Sequence, residues 1–74
     1  MFKNPIERKY INELDDKRER DIIILRYGLN GEKPKTQNQI AEKYDISRSY
    51  VSRIETKTLK KLRKKFENDD NELL

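Results

Sequence analysis

Ile46-Ser47-Arg48-Ser49-Tyr50-Val51-Ser52-Arg53-Ile54-Glu55 is the stretch on which the fold turns. Ser47 is a helix N-cap, placed where its hydroxyl can accept a backbone N–H of the first turn. Beyond it Val51, Ile54, Thr58, Leu62 and Phe66 recur three or four apart, with Leu59 adjoining, and form the stripe of an amphipathic helix. Upstream, Thr36 followed by Gln39 makes a capping box, and the helix it starts carries Ile40, Ala41 and Tyr44 and stops near Asp45. Two helices joined by about three residues, the second longer and basic, have the layout of a helix-turn-helix. Ile40, Ala41, Ile46, Val51 and Ile54 supply the apolar contacts that hold the pair at a steep crossing. At about 100° per residue, the face opposite the apolar stripe is occupied by Ser49, Arg53, Thr56 and Lys60, with Ser52 beside them. These are polar side chains able to meet base edges.

Nearer the N-terminus, Ile6, Tyr10, Ile11 and Leu14 are spaced three and four apart, so residues 4–14 read as a short amphipathic helix with Pro5 in its first turn. Asp15 or Asp16 caps the next start. From Lys17, the positions Ile22, Ile23, Leu25 and Tyr27 mark a second helix that Gly28 ends, and Gly28-Leu29-Asn30-Gly31 is a turn. The β-branched run Ile22-Ile23-Ile24 would also suit a strand, but it has no turn-linked partner and lies between helical signals. The expected fold is all-α, a small four-helix domain over residues 1–66 with an acidic, disordered tail over residues 67–74.

The chain has 74 residues, with 18 Lys and Arg against 14 Asp and Glu, 43% charged and 32% hydrophobic. A chain this short holds one domain with little room for an enclosed cavity. It has no Cys and no His, so disulfides, thiolate zinc sites, thiol nucleophiles and the commonest general base are excluded. Neither a metal nor a cofactor is expected. Asp15-Asp16 and Asp69-Asp70 are adjacent pairs at a cap and in a tail, with no pocket to shift their pKa, so no enzyme is expected. No apolar run approaches the roughly 20 residues of a membrane span, and the reading is an intracellular, cytoplasmic protein without a membrane partner. The net charge of +4 hides an asymmetry. Residues 1–47 carry ten basic and nine acidic side chains, whereas residues 48–66 carry eight basic side chains against the single Glu55. So dense a basic segment points to a polyanion, most simply nucleic acid.

Arg26-Tyr27-Gly28-Leu29, Lys35-Thr36-Gln37, Ile40-Ala41 and above all the stretch from Ile46 to Glu55, continuing to Leu59 and Leu62, closely resemble region 4 of bacterial sigma-70-type RNA polymerase sigma factors, nearest the sporulation-type sigma-K and sigma-E kind. The resemblance implies a four-helix domain that reads the promoter −35 element in the major groove, while another surface cradles the flap-tip helix of the polymerase β subunit. An anti-sigma factor is a further partner it suggests. Carried over by position, Arg48, Ser49, Ser52 and Arg53 fall where the family's recognition helix faces bases, and Lys57 where it meets backbone. Housekeeping members tend to have Glu at the position of Ser49 and Gln at that of Arg53, so their −35 preference does not transfer. The family usually has a polar residue where this chain has Ile24, which widens the apolar face.

Of these residues, Arg53 is the expected base reader, because a guanidinium pairs bidentately with guanine O6 and N7. Ser49 and Ser52 allow close approach, and Ser47 both caps the helix and lies near phosphate. Thr36 and Gln37 open the first helix of the motif, where backbone N–H groups favour a phosphate. Tyr50 can reach phosphate or pack on Tyr44. Tyr10, Ile11, Leu14, Ile22, Leu25 and Tyr27 are expected to be principally core, with part of that apolar surface, at Ile11, Leu14, Ile22, Ile24 and Leu25, meeting the partner. A stand-alone regulator that recruits or diverts polymerase, and an interaction bundle that binds no DNA, are the competing readings. The chain has no aromatic-bearing counterpart of the −10 reader, so it is an excised region 4 or a stand-alone protein, and an excised domain is expected because the chain opens at a predicted helix start.

Overall fold

The computed structural model describes residues 7–72, with side chains described as far as residue 68, and it comprises four helices. Helix α1 spans Arg8–Asn12, α2 Lys17–Tyr27, α3 Gln37–Tyr44 and α4 Arg48–Glu72.

The caps account for most of the boundaries. Asp16 opens α2, its carboxylate accepting the backbone N–H groups of Arg18 and Glu19 at 2.9 and 3.4 Å. Gly28 ends α2 in the left-handed conformation at φ 65°, and a Cβ there would lie 2.5 Å from the Glu32 carbonyl oxygen. Both halves of the Thr36–Gln39 capping box are formed, at 2.8 and 3.1 Å. Asp45 closes α3 with φ 55°, a left-handed turn that Asp tolerates better than most residues. The Ser47 hydroxyl accepts the Tyr50 N–H at 3.1 Å and opens α4.

One expectation is corrected. The first helix does not run through residues 4–14: Glu7 is extended, with ψ 150°, and caps a helix of five residues. The proposed start at Asn4 and Pro5 lies outside the described residues. At the other end α4 continues to Glu72, into the segment expected to be a disordered tail. Phe66 packs against the core and meets Tyr10 edge-on at 6.0 Å, and Arg63 pairs with Glu67 one turn on, so the helix still has contacts where the acidic segment begins. Leu73 and Leu74 lie outside the described residues.

The interior consists of two apolar clusters. One gathers Tyr10, Ile11, Leu14, Ile23 and Leu62; the other gathers Ile22, Ile40, Ala41, Val51 and Ile54. Helix α2 lies between them, which explains its run of isoleucines. Ile22 and Leu25 turn toward the second cluster, while Ile23, Ile24 and Tyr27 turn toward the first. Helix α4 spans both, with Val51 and Ile54 in one and Leu62 in the other. Thr58 is fully buried between them, and its hydroxyl donates to the Ile54 carbonyl at 2.7 Å, so no unpaired polar group results.

Candidate nucleic-acid interface

Burying one stripe of α4 leaves the opposite face in solvent. Arg48, Ser49, Arg53 and Lys57 are exposed and Ser52 is half-buried. A shallow concavity is lined by Gln37, Arg48, Ser49, Ser52 and Arg53, bringing the start of α3 beside the first two turns of α4. A second continues along the helix past Ser52, Arg53, Thr56, Lys57 and Lys60. Six of the eight side chains expected at a DNA surface therefore lie on one face. The other two, Thr36 and Ser47, are exposed beside it with their hydroxyls engaged as caps.

The ion pairs divide the basic residues further. Lys61 reaches the buried Glu19 of α2 at 2.9 Å, Lys65 reaches Glu13 at 3.7 Å, and Arg63 pairs with Glu67 at 3.5 Å. Arg48, Arg53, Lys57, Lys60 and Lys64 have no ion pair among the described residues. At about 100° and 1.5 Å per residue, Arg53, Lys57, Lys60 and Lys64 fall in one sector of the outward face and extend for about 16 Å along the axis. Unpaired charge is concentrated where nothing else competes for it.

Two acidic residues went unread in the sequence. Glu55 is 8% exposed and is a hub. Its Oε1 accepts the Gln37 side-chain amide at 2.9 Å and lies 3.4 Å from Arg26 Nε, and its Oε2 accepts the Tyr27 hydroxyl at 3.0 Å. The Tyr27 pKa is raised above its ordinary 10.0, first by burial and then by the hydrogen bond to Glu55 and that residue's negative charge. Tyr44 is raised too, by burial and then by Asp21. Glu19 is 4% exposed and bonds Lys61 through both oxygens, at 2.9 and 3.1 Å. The signal available for Glu55 was its place as the single acid among eight bases, one position past Ile54 at the edge of the buried stripe.

The expected partner surface is largely interior. Ile11, Leu14 and Ile22 are 1%, 3% and 0% exposed, committed to the two clusters. Ile24 and Leu25 are half-buried, each packed against one cluster, so Ile24 does not form an exposed patch. Tyr50 does not stack on Tyr44: no ring contact joins them among the described residues. It is 44% exposed and borders a recess with Asp16, Arg18, Arg53 and Lys57. Among the described residues, no three acidic side chains gather as metal ligands would, and no helix is long and apolar enough to cross a membrane.

Comparison with known proteins bears on this face. The family model for sigma-70, region 4, matches residues 11–64. The RNA polymerase sigma-K factor of Bacillus subtilis (strain 168) is 48% identical over 65 residues, which cover 88% of this chain and 22% of that protein. The RNA polymerase sigma-28 factor of Bacillus thuringiensis subsp. kurstaki is 46% identical over 65 residues, 88% of this chain and 27% of that protein. The RNA polymerase sigma-E factor of Clostridium acetobutylicum is 46% identical over 58 residues, 78% of this chain and 23% of that protein. The chain thus spans about a quarter of the length of the curated relatives it matches. No solved structure gives a significant match.

Proposed function

The chain belongs to the sigma-70 region 4 family, and from that premise we propose that it binds promoter DNA at the −35 element, with α4 in the major groove, as part of transcription initiation by RNA polymerase. The observation that carries this reading is the stripe of unpaired cations on the outward face of α4, beginning beside two short serines that let the helix approach base edges. Arg53 lies within the first two turns and reads a guanine; Ser49 and Ser52 line the approach. Arg48, Lys57, Lys60 and Lys64 neutralise phosphates, and the backbone N–H groups that open α3 at Thr36 and Gln37 favour another. The role is binding, without catalysis, and its setting is the cytoplasm. Polymerase core is the protein partner, and the flap-tip helix of the β subunit docks beside the half-buried edge that Ile24 and Leu25 contribute. An anti-sigma factor would compete for that edge.

A salt titration by fluorescence anisotropy tests the reading. The probes are a duplex selected from a randomised cassette and a scrambled control, each with and without a flap-tip peptide. Affinity should fall steeply with salt, at about 10⁻⁴–10⁻⁶ M for the scrambled duplex near physiological salt, and the selected duplex should bind more tightly. A chain that takes up the peptide but retains neither duplex even at low salt is an interaction domain, and the DNA reading then fails.

A further inference from the structure

The helix-turn-helix has an open end. Gln37 lies nine residues before Ile46 in the turn, and Glu55 nine residues after it. Between the turn and that end, Ile40 and Ala41 share the second cluster with Val51 and Ile54, and no α3 residue before Ile40 belongs to it. What closes the V is polar: the 2.9 Å hydrogen bond from the Gln37 amide to Glu55. The same carboxylate holds Tyr27 at 3.0 Å and Arg26 at 3.4 Å. Arg26 in turn donates to the Lys35 carbonyl at 3.4 Å, in the segment that leads into α3. One buried group therefore ties the end of α2, the approach to α3, the start of α3 and the second turn of α4.

We propose that Glu55 is a positioning residue for sequence recognition, setting through Gln37 the angle between α3 and α4 and hence the depth and register at which Arg53 enters the groove. The proposal rests on the DNA-binding reading above. Glu55 itself does not touch DNA: it is 8% exposed, and a carboxylate facing phosphates would be repelled. Ser52 and Arg53 lie three and two positions before it, within one turn, so any splay of the open end displaces them first. A carboxylate suits this place because two hydrogen-bond donors, the Tyr27 hydroxyl and the Gln37 amide, and the Arg26 charge converge on it. The carboxamide introduced by Glu55→Gln would offer one acceptor oxygen and turn an N–H₂ group toward a donor.

The test uses the 74-residue chain as wild type, E55Q, Q37A and the E55Q/Q37A pair, at one low salt concentration. The readout is the ratio of affinities for the selected duplex and for single-base-pair variants of it, with helicity by circular dichroism alongside. Wild type should discriminate by about tenfold or more at a contacted base pair. E55Q and Q37A should each lower that ratio to about threefold or less, and the pair should do no worse than either alone, as expected for two residues acting as one unit. Should E55Q lose its helicity, Q37A, a substitution on a half-buried surface residue, still has to lower the ratio by itself. A uniform loss with the ratio unchanged would show that Glu55 only stabilises the fold, and independent, multiplying losses would show that it does not act through Gln37. Either overturns the proposal while leaving the DNA reading intact. A wild type with no preference among duplexes removes both.

Discussion

Lys60→Ala and Lys61→Ala are neighbouring truncations in one helix, yet they should change different quantities. Lys60 has no ion pair among the described residues and lies on the outward sector of α4, whereas Lys61 holds a carboxylate that is 4% exposed. If all five unpaired cations meet phosphates, log K should fall against log salt with a slope of about −4.5, at roughly 0.9 per phosphate. That is a loss of about 500-fold between 50 and 200 mM salt. Lys60→Ala should flatten the slope to about −3.6 and the loss to about 150-fold, leaving stability unchanged. Lys61→Ala should keep the slope and instead destabilise the fold by about 1–3 kcal/mol, because Glu19 is left desolvated and unpaired. The cost is held to that range because the Lys61 side chain is 44% exposed and its charge is partly screened. Anisotropy on a labelled duplex at four salt concentrations measures the first quantity and urea unfolding followed by helicity the second. Were Lys61→Ala to flatten the slope as much as Lys60→Ala at unchanged stability, the division of α4 into paired and free cations would be wrong.

Arg53→Ala should lower affinity for the selected duplex by about 1–3 kcal/mol and flatten discrimination at one base pair, measured at fixed salt across single-base-pair variants; a uniform loss would make Arg53 a phosphate contact. Leu62→Ala should cost about 2–5 kcal/mol in urea unfolding, since Leu62 is fully buried in the cluster that joins α4 to α1 and α2. Asp45→Ala should destabilise by about 1 kcal/mol and Asp45→Gly should not, because φ is 55° there and only the glycine relieves the left-handed strain. The raised Tyr27 pKa means that folding favours the neutral phenol: its contribution is whole below the unfolded value near 10.0 and is lost as pH rises through the higher folded value. Thermal unfolding should therefore be less sensitive to alkaline pH in Tyr27→Phe than in wild type.

What the sequence made legible was local. Asp16, Gly28, the Thr36–Gln39 box and Ser47 each act on backbone groups within a few positions, so residue type and spacing suffice to place them. The outward face of α4 was legible for the same reason: one stripe buried implies the other exposed. The double packing of α2 was not. A periodicity argument assigns each helix one apolar face, and α2 has two, so Ile24 read as a spare apolar residue when the isoleucine run is shared between two clusters. Nor was Glu55, whose ties to Gln37 and Tyr27 cross 18 and 28 positions, or Glu19, which meets Lys61 across 42. Contacts so far apart in the chain leave no trace in a local pattern, and an acid in a basic helix looks like dilution until its burial is known.

Helix α4 is charged against its own dipole at both ends, in contrast to α2. Helix α2 opens on Asp16 with Glu19 in its first turn and has Arg26 in its last, and α3 has Lys43 in its last turn, the arrangement the macrodipole favours. Helix α4 has no acid in its first turn and no base in its last; it begins with Arg48 and ends among Glu67, Asp69, Asp70 and Glu72. Each such mismatch costs about 0.3–1 kcal/mol near a helix end, so local stability does not explain the pattern. The Ser47 cap and the burial of Val51, Ile54, Thr58 and Leu62 offset it. A polyanion does explain it. Arg48 adds to the positive pole of the helix where the concavity with Gln37 opens, the single acid in residues 48–66 is turned inward onto Arg26, and the acidic residues come only after the last unpaired cation, Lys64. Attraction thus extends along α4 from Arg48 to Lys64 and weakens only beyond Phe66, which limits the stretch a phosphate backbone can follow while Ser49, Ser52 and Arg53 meet the bases. A local rule is broken here where the positive field serves binding, and α2, which supports the site from behind, keeps it.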